Sequence, residues 1–304
     1  MAVSARFVLE QGPGLKGMGG AALGVLKQRL GLAKAGSGDA QVPGPEIRVS
    51  YPPRDPDLVR AYVRHVGGDP SAYKRRVPAH LFPQWAFGLV GPCLEGTRYP
   101  LLGALNGGCR LVSNAPLPLG EPLEVSGRLA SVDDDGRRAI LEIETVTSTP
   151  SAPEAVVATM IVFVPLPKKK NGEGDEGAPK EKARVPAGAR ELSFFRLKAD
   201  AGLDFAKLTG DFNPVHWVPA YARAFGFKNT ILHGFGTMAR AVESLNRGLF
   251  AGDVDALSRL EVRFTRPLVL PASAGVYVED DRVYVGAAPG GPAYLTGTFQ
   301  ARTA

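Results

Sequence analysis

The chain is short of several residue types, and each shortage removes a class of protein. It has two cysteines, Cys93 and Cys109, in 304 residues. Such a pair, with no metal-type spacing and no His or further Cys clustered near it, offers neither a disulfide framework nor a zinc site. Both read as small apolar filler. No apolar run approaches the roughly 20 residues that a bilayer-spanning helix needs. The opening MAVSARFVLEQG lacks the apolar core and cleavage site of a secretory leader, so a cytoplasmic location is expected. Histidine is scarce as well. Of four in the chain, two stand in the strings LTGDFNPVH (208–216) and HGFG (233–236).

What is present describes a folded protein of ordinary make-up. Hydrophobic residues form 44% and charged residues 22% of the chain, which is globular composition at a length that holds two domains. The net charge is +6 and the pI about 9.3. The excess gathers in the first 46 residues and around PLPKKKNGEG, a balance that suits an anionic partner. Basic and aromatic residues do not interleave as a nucleic-acid surface would require, so no nucleic acid is expected. GMGGAALG near the start has no strand before it and misplaced glycines, so it is no dinucleotide loop.

Residues 167–190, PKKKNGEGDEGAPKEKARVPAGAR, have the Gly, Pro and alternating charge of a flexible linker. Residues 1–46 read as a partly flexible extension holding one marginal helix in GMGGAALGVLKQRL. Between these segments, residues 47–166 read as one domain. IRVSY is a strand, PDLVRAYVRHVGG a short helix stopped by Gly67 and Gly68, and AHLFPQWAFGLVGPCLEG a helix apolar all round. Four strands follow, two of them alternating with period two and joined by the turn Asp-Asp-Asp-Gly. Residues 191–304 repeat the plan: strand LSFFRL, short helix ADAGLDFAKLTG, longer helix LHGFGTMARAVESLNRGLF, then strands SRLEVRFTRPLVL, GVYVEDDRVYVG and AYLTGTFQA. A sheet wrapped around one apolar helix is the hotdog plan. The expectation is therefore an α+β double hotdog, two antiparallel sheets each around a central helix, packed as a pseudo-dimer.

The two histidine strings admit a plain reading. DFNPVH can be a connector in which Asn213 caps the helix PAYARAFG and Pro214 opens it, and the Gly of HG can serve close packing. They also admit a chemical one. A carboxylate and an imidazole five residues apart, on a rigid Asn-Pro turn, can hold one water and move its proton. Gly234, near the start of the buried helix, can present its N–H to an oxygen that becomes negative.

The stretch LTGDFNPVHWVPAYARAFGFKNTILHGFGTMA resembles the signature of the MaoC-like (R)-specific enoyl-thioester hydratases and dehydratases. The elements Asp-x-Asn-Pro-x-His, Tyr-Ala, Gly-Phe and His-Gly stand here as Asp211, Asn213, Pro214, His216, Tyr221, Ala222, Gly226, Phe227, His233 and Gly234. The resemblance implies a hydro-lyase of fatty-acid metabolism that interconverts (3R)-3-hydroxyacyl and trans-2-enoyl thioesters. Asp211 and His216 would be catalytic. Gly234, Asn213, His233 and Phe235 would serve the oxyanion and the substrate. It implies no metal and no cofactor beyond the coenzyme A or phosphopantetheine that carries the acyl group. Arg223, Lys228 and Arg263 are candidates for contacts to that carrier. An acyl-thioester-binding protein without turnover and a hotdog thioesterase are the alternatives.

Residues 47–166 resemble the non-catalytic hotdog of two-repeat members. That half either houses a longer acyl chain beside a loosened helix or stands in for a dimer partner, which leaves the assembly a monomeric pseudo-dimer or a homodimer. Some relatives hold the Asp with a Ser farther along the catalytic helix. MARAVES offers Val242 there, one helical row from Ser244, so that support is expected to be absent or supplied otherwise.

Overall fold

A computed structural model describes residues 3–11, 40–99, 104–166 and 183–302. The marginal helix expected in GMGGAALGVLKQRL lies outside the described residues, as does most of the proposed linker.

The N-terminal half begins with β1 (Ile47–Tyr51) and helix α1 (Pro56–His65). Asp55 starts this helix by accepting a hydrogen bond from the Asp57 N–H at 2.7 Å, and Pro56 fills the first position, where no N–H is needed. Gly67, with φ +89°, supplies the left-handed turn that stops it. A one-turn helix α2 (Pro70–Tyr73), strand β2 (Arg76–Val77) and helix α3 (Pro83–Cys93) follow, then β3 (Leu105–Ser113), β4 (Leu117–Pro118), β5 (Leu123–Asp134), β6 (Arg138–Ser148) and β7 (Val156–Pro165). The β5–β6 hairpin turns at the expected Asp-Asp-Asp-Gly, with Gly136 at φ +76°. Along β6 alternate side chains are buried, among them Ala139, Leu141 and Ile143.

The C-terminal half repeats this order as β8 (Arg190–Leu197), α4 (Ala201–Thr209), α5 (Pro219–Ala224), α6 (Gly234–Gly248), β9 (Leu257–Phe264), β10 (Ala272–Glu279), β11 (Arg282–Gly286) and β12 (Ala293–Ala301). The segment GVYVEDDRVYVG, read above as a single strand, is a hairpin of β10 and β11 that turns at Asp280 with φ +52°.

Ten strands form one antiparallel sheet in the order β1-β5-β6-β7-β3-β9-β12-β11-β10-β8. Read inward from either edge the order is the same: first strand outermost, then the three that end each half, then the strand after the central helix. The two hotdogs thus lie side by side, joined where β3 meets β9 with Arg110 opposite Glu261 and Leu111 opposite Leu260. The chain is a double hotdog.

Each half wraps its central helix, α3 or α6. Buried Trp85, Ala86 and Leu89 line α3, and the missing side chain of Gly127 on β5 lets Leu89 seat directly on that strand. Pro92 lies inside the last turn of α3. The longer α6 is buried from Phe235 to Asn246, because both halves close on it.

Polar groups also tie α6 to the N-terminal half. Glu243, 2% exposed, accepts from the Tyr73 hydroxyl at 2.7 Å and lies 3.2 Å from His80 Nε2. His80 Nδ1 is 3.0 Å from the Tyr62 hydroxyl. The Glu243 carboxylate occupies the space that a side chain on Gly68 would fill.

One segment boundary differs from expectation. Residues 183–190 are not linker: Val185 and Ala189 are buried beside Tyr277 and Tyr284, Arg184 bridges Pro292, and Arg190 already belongs to β8. The apolar side chains among the glycines and charges are what anchor them. Within the N-terminal extension, a 3-10 helix, Ala5–Gln11, packs against α4, where the buried Gln11 donates to the Lys207 carbonyl at 3.1 Å.

Candidate active site

Helix α4 ends at Gly210, whose φ of +81° turns the chain out of the helix, and Asp211 follows. Asp211 Oδ1 accepts from the Asn213 N–H at 3.3 Å. The Asn213 side chain in turn accepts from the Val215 N–H at 3.2 Å. Asn213 therefore caps the 3-10 turn Pro214–His216, while helix α5 starts separately at Pro219. This exposed Asn is a brace for the turn. Gly202 has its own reason to be glycine: a Cβ there would collide with the His216 carbonyl, so its absence lets the turn sit against α4.

His216 donates from Nδ1 to the Ile231 carbonyl at 2.8 Å. That bond fixes the tautomer and leaves Nε2 with a free lone pair. Burial pulls the His216 pKa below its usual value, and the Asp211 charge partly offsets this. His233, immediately before α6, donates from Nε2 to the Asp211 carbonyl at 2.9 Å. Its ring stacks on His216 with centroids 3.6 Å apart. Burial and the neighbouring imidazole push the His233 pKa down to about 3, so both rings are neutral at neutral pH.

One donor atom from each of Asp211, His216 and His233 lies within 4.8 Å of the others. That spacing accommodates one water shared by a carboxylate and an imidazole, and a metal ion would accept it too. The buried Nδ1 of His233 has no protein partner among the described residues. A water is the simplest group to satisfy it.

The other candidates fall differently. Gly234 is the first residue of α6, whose N-terminus has no side-chain cap, so the early amides of the helix are oriented toward this cluster's end of the fold. A Cβ on Gly234 would come 2.7 Å from the Phe264 ring. Packing against β9 thus demands glycine there, independently of any ligand. Phe235 is 2% exposed and meets Phe82, Phe87 and Phe264 edge to face at 5.3, 5.4 and 5.8 Å; it sits in an aromatic knot between the halves.

Ser244 bonds Ser193 at 2.6 Å and the Arg240 carbonyl at 2.7 Å, while Val242 is buried. Asp211 is held instead through its backbone, by His233. Arg223, Lys228 and Arg263 are exposed. Arg223 shares α5 with Tyr221, whose ring stacks at 4.6 Å on the exposed ring of Phe225.

His80 is a residue whose place the sequence concealed. It precedes α3 as His233 precedes α6, but without a following Gly and without an Asp-x-Asn-Pro-x-His partner. Its neighbours are Tyr62, Tyr73 and Glu243. The only sequence signal was a His just ahead of each buried helix.

The chain is similar to known proteins in sequence and in fold. Residues 183–287 match the family model described as MaoC like domain. 3-hydroxyacyl-thioester dehydratase X of Mycobacterium tuberculosis is 27% identical over 242 residues, covering 79% of this chain and 82% of that protein. The peroxisomal enoyl-CoA hydratase 2 of Arabidopsis thaliana is 28% identical over 183 residues, 56% of this chain and 58% of its own. Among solved structures, HtdX of M. tuberculosis superposes with a TM-score of 0.67 at 23% identity, covering 85% of this chain and all of that one. With its signature carried in a loop and helix start that bring Asp211, His216 and His233 together, residues 183–287 form a MaoC-like domain.

Proposed function

We propose that the protein is a hydro-lyase that interconverts (3R)-3-hydroxyacyl and trans-2-enoyl thioesters in fatty-acid metabolism. The observation that carries this reading is the neutral His216, its Nε2 lone pair free, beside the Asp211 carboxylate at the start of α6. The names of the relatives, a dehydratase and an enoyl-CoA hydratase, support it. In hydration, a water held by Asp211 and His216 adds its oxygen to C3 and a proton is delivered to C2. The charge that passes through the thioester oxygen is taken by the Gly234 N–H, reinforced by the helix dipole. Dehydration runs the same steps backwards: the C2 proton leaves to the base and the C3 hydroxyl departs as water. His233 holds the Asp211 backbone in place, and Asn213 keeps the turn shut.

No resident cofactor is needed in this scheme. The acyl group arrives on coenzyme A or a phosphopantetheinylated protein, with Arg223, Lys228 and Arg263 available on the surface for the carrier. The test follows enoyl-thioester absorbance with wild type and Asp211→Asn. Removing the general base should lower the rate about a hundred- to ten-thousand-fold. An unchanged rate in the variant would sink the assignment.

A further inference from the structure

Behind α6, on the side facing the sheet edge, lies a groove of about 420 Å³, a volume typical of small-ligand sites. It is walled by β8, the last residues around α1 and the middle and C-terminal end of α6. Its charged lining consists of Arg196, Arg240 and Arg247, with no Asp or Glu.

Arg240 is 6% exposed. It donates to the carbonyls of Gly236 at 3.2 Å and His65 at 2.7 Å, and its guanidinium lies 5.7 Å from the Phe195 ring centroid. Among the described residues it forms no salt bridge. Burial drags its pKa down to about 10. A buried cation without a counter-ion is costly, and here the cost falls on the wall of an open groove. Arg247 is engaged with the Gly67 carbonyl at 2.9 Å; Asp69, the acid whose charge reaches it, is occupied in capping α2. The groove wall also contains His65, whose buried Nε2 has no protein partner among the described residues.

We propose that this groove is a phosphate-binding site. Guanidinium forks match the oxygens of phosphate and carboxylate alike. Three of them around one groove exceed what the two oxygens of a monoanionic carboxylate can use, whereas a phosphate dianion offers more acceptors and more charge. The phosphate belongs either to the carrier of a thioester, a source that rests on the proposed activity, or to a free phosphate-bearing ligand, which does not. Buried rings connect the groove wall to the residues of the reaction centre. His65 lies 6.3 Å from Phe205, ring to ring, and Phe205 lies 4.8 Å from His233.

Calorimetric titration of the full chain with inorganic phosphate, coenzyme A and phosphate-free pantetheine tests the site. Arg196→Gln and Arg247→Gln alter exposed side chains and spare folding; Arg240→Gln is read alongside its urea midpoint. Each is expected to weaken phosphate binding about tenfold. Coenzyme A that weakens with these variants, while pantetheine does not, identifies the carrier as the source. Phosphate that weakens while coenzyme A is indifferent identifies a free ligand. Affinities for both that ignore all three substitutions overturn the site. A protein inactive on enoyl thioesters that still binds phosphate through these arginines fails the activity reading and keeps this one.

Discussion

The imidazole rings of His216 and His233 lie stacked, 3.6 Å between centroids and 23° from parallel. Two imidazolium ions could not share that geometry in a buried site, so one ring's neutrality depends on the other's. The first bonds the Ile231 carbonyl and the second the Asp211 carbonyl. The stack therefore orients the turn and the helix start together.

His216→Gln should lower the rate about as far as Asp211→Asn does, because the two act as one unit on one water. The double variant should lose little more than either single one. A double variant whose loss equals the product of the single losses would show independent action.

Stability should fall on the acid side. The folded pKa of His233 and of His65 is about 3 against a usual 6.5, and that of His216 is lowered too. The unfolded chain therefore binds protons below pH 6.5 that the folded chain refuses. The stabilisation is complete above pH 6.5 and drains away as pH drops toward 3, each ring contributing up to ~1.4 kcal/mol per pH unit. Urea midpoints from pH 7.5 to 5 check this, a window above most carboxylate titration. A flat series would contradict it.

Gly234→Ala should destabilise by about 1–3 kcal/mol through the overlap with Phe264. Pairing it with Phe264→Leu should recover stability, as read by thermal melting. Ala keeps the backbone N–H, so the rate of the double variant then reports whether a Cβ beside that N–H obstructs the substrate, free of the packing defect.

Glu243→Ala should remove the acceptor of the Tyr73 hydroxyl and the partner of His80, costing about 1–3 kcal/mol per buried group left unpaired. Glu243→Gln keeps an acceptor oxygen and should cost less. Equal urea midpoints for the two variants would refute the part given to that oxygen.

Dialysis against a chelator should leave turnover unchanged, although Asp211, His216 and His233 could hold an ion. Activity lost on dialysis and restored by one divalent metal would replace the shared water with that metal.

Much of this fold was legible in one dimension because its causes are local. Alternation in β5 and β6, the stop at Gly210 and the turn at Gly136 each depend on neighbours in sequence. The signature was readable for the same reason in part, since the Asp211 and Asn213 side chains accept from backbone N–H groups two residues on, whereas His216 is held by the Ile231 carbonyl fifteen residues away. Three-dimensional packing decided the rest. Phe235 stands in the signature helix yet belongs to an aromatic knot with Phe82 and Phe87 from the other half, and nothing near it in sequence says so. Residues 183–190 had the composition of a linker, but Val185 finds a buried place beside Tyr277 and Tyr284. Glu243, His80 and Arg240 read as ordinary helix and loop residues. Their burial, their partners and the groove behind them arise only when two halves with the same plan close on α6, because the free energy of a buried charge is set by what surrounds it in space.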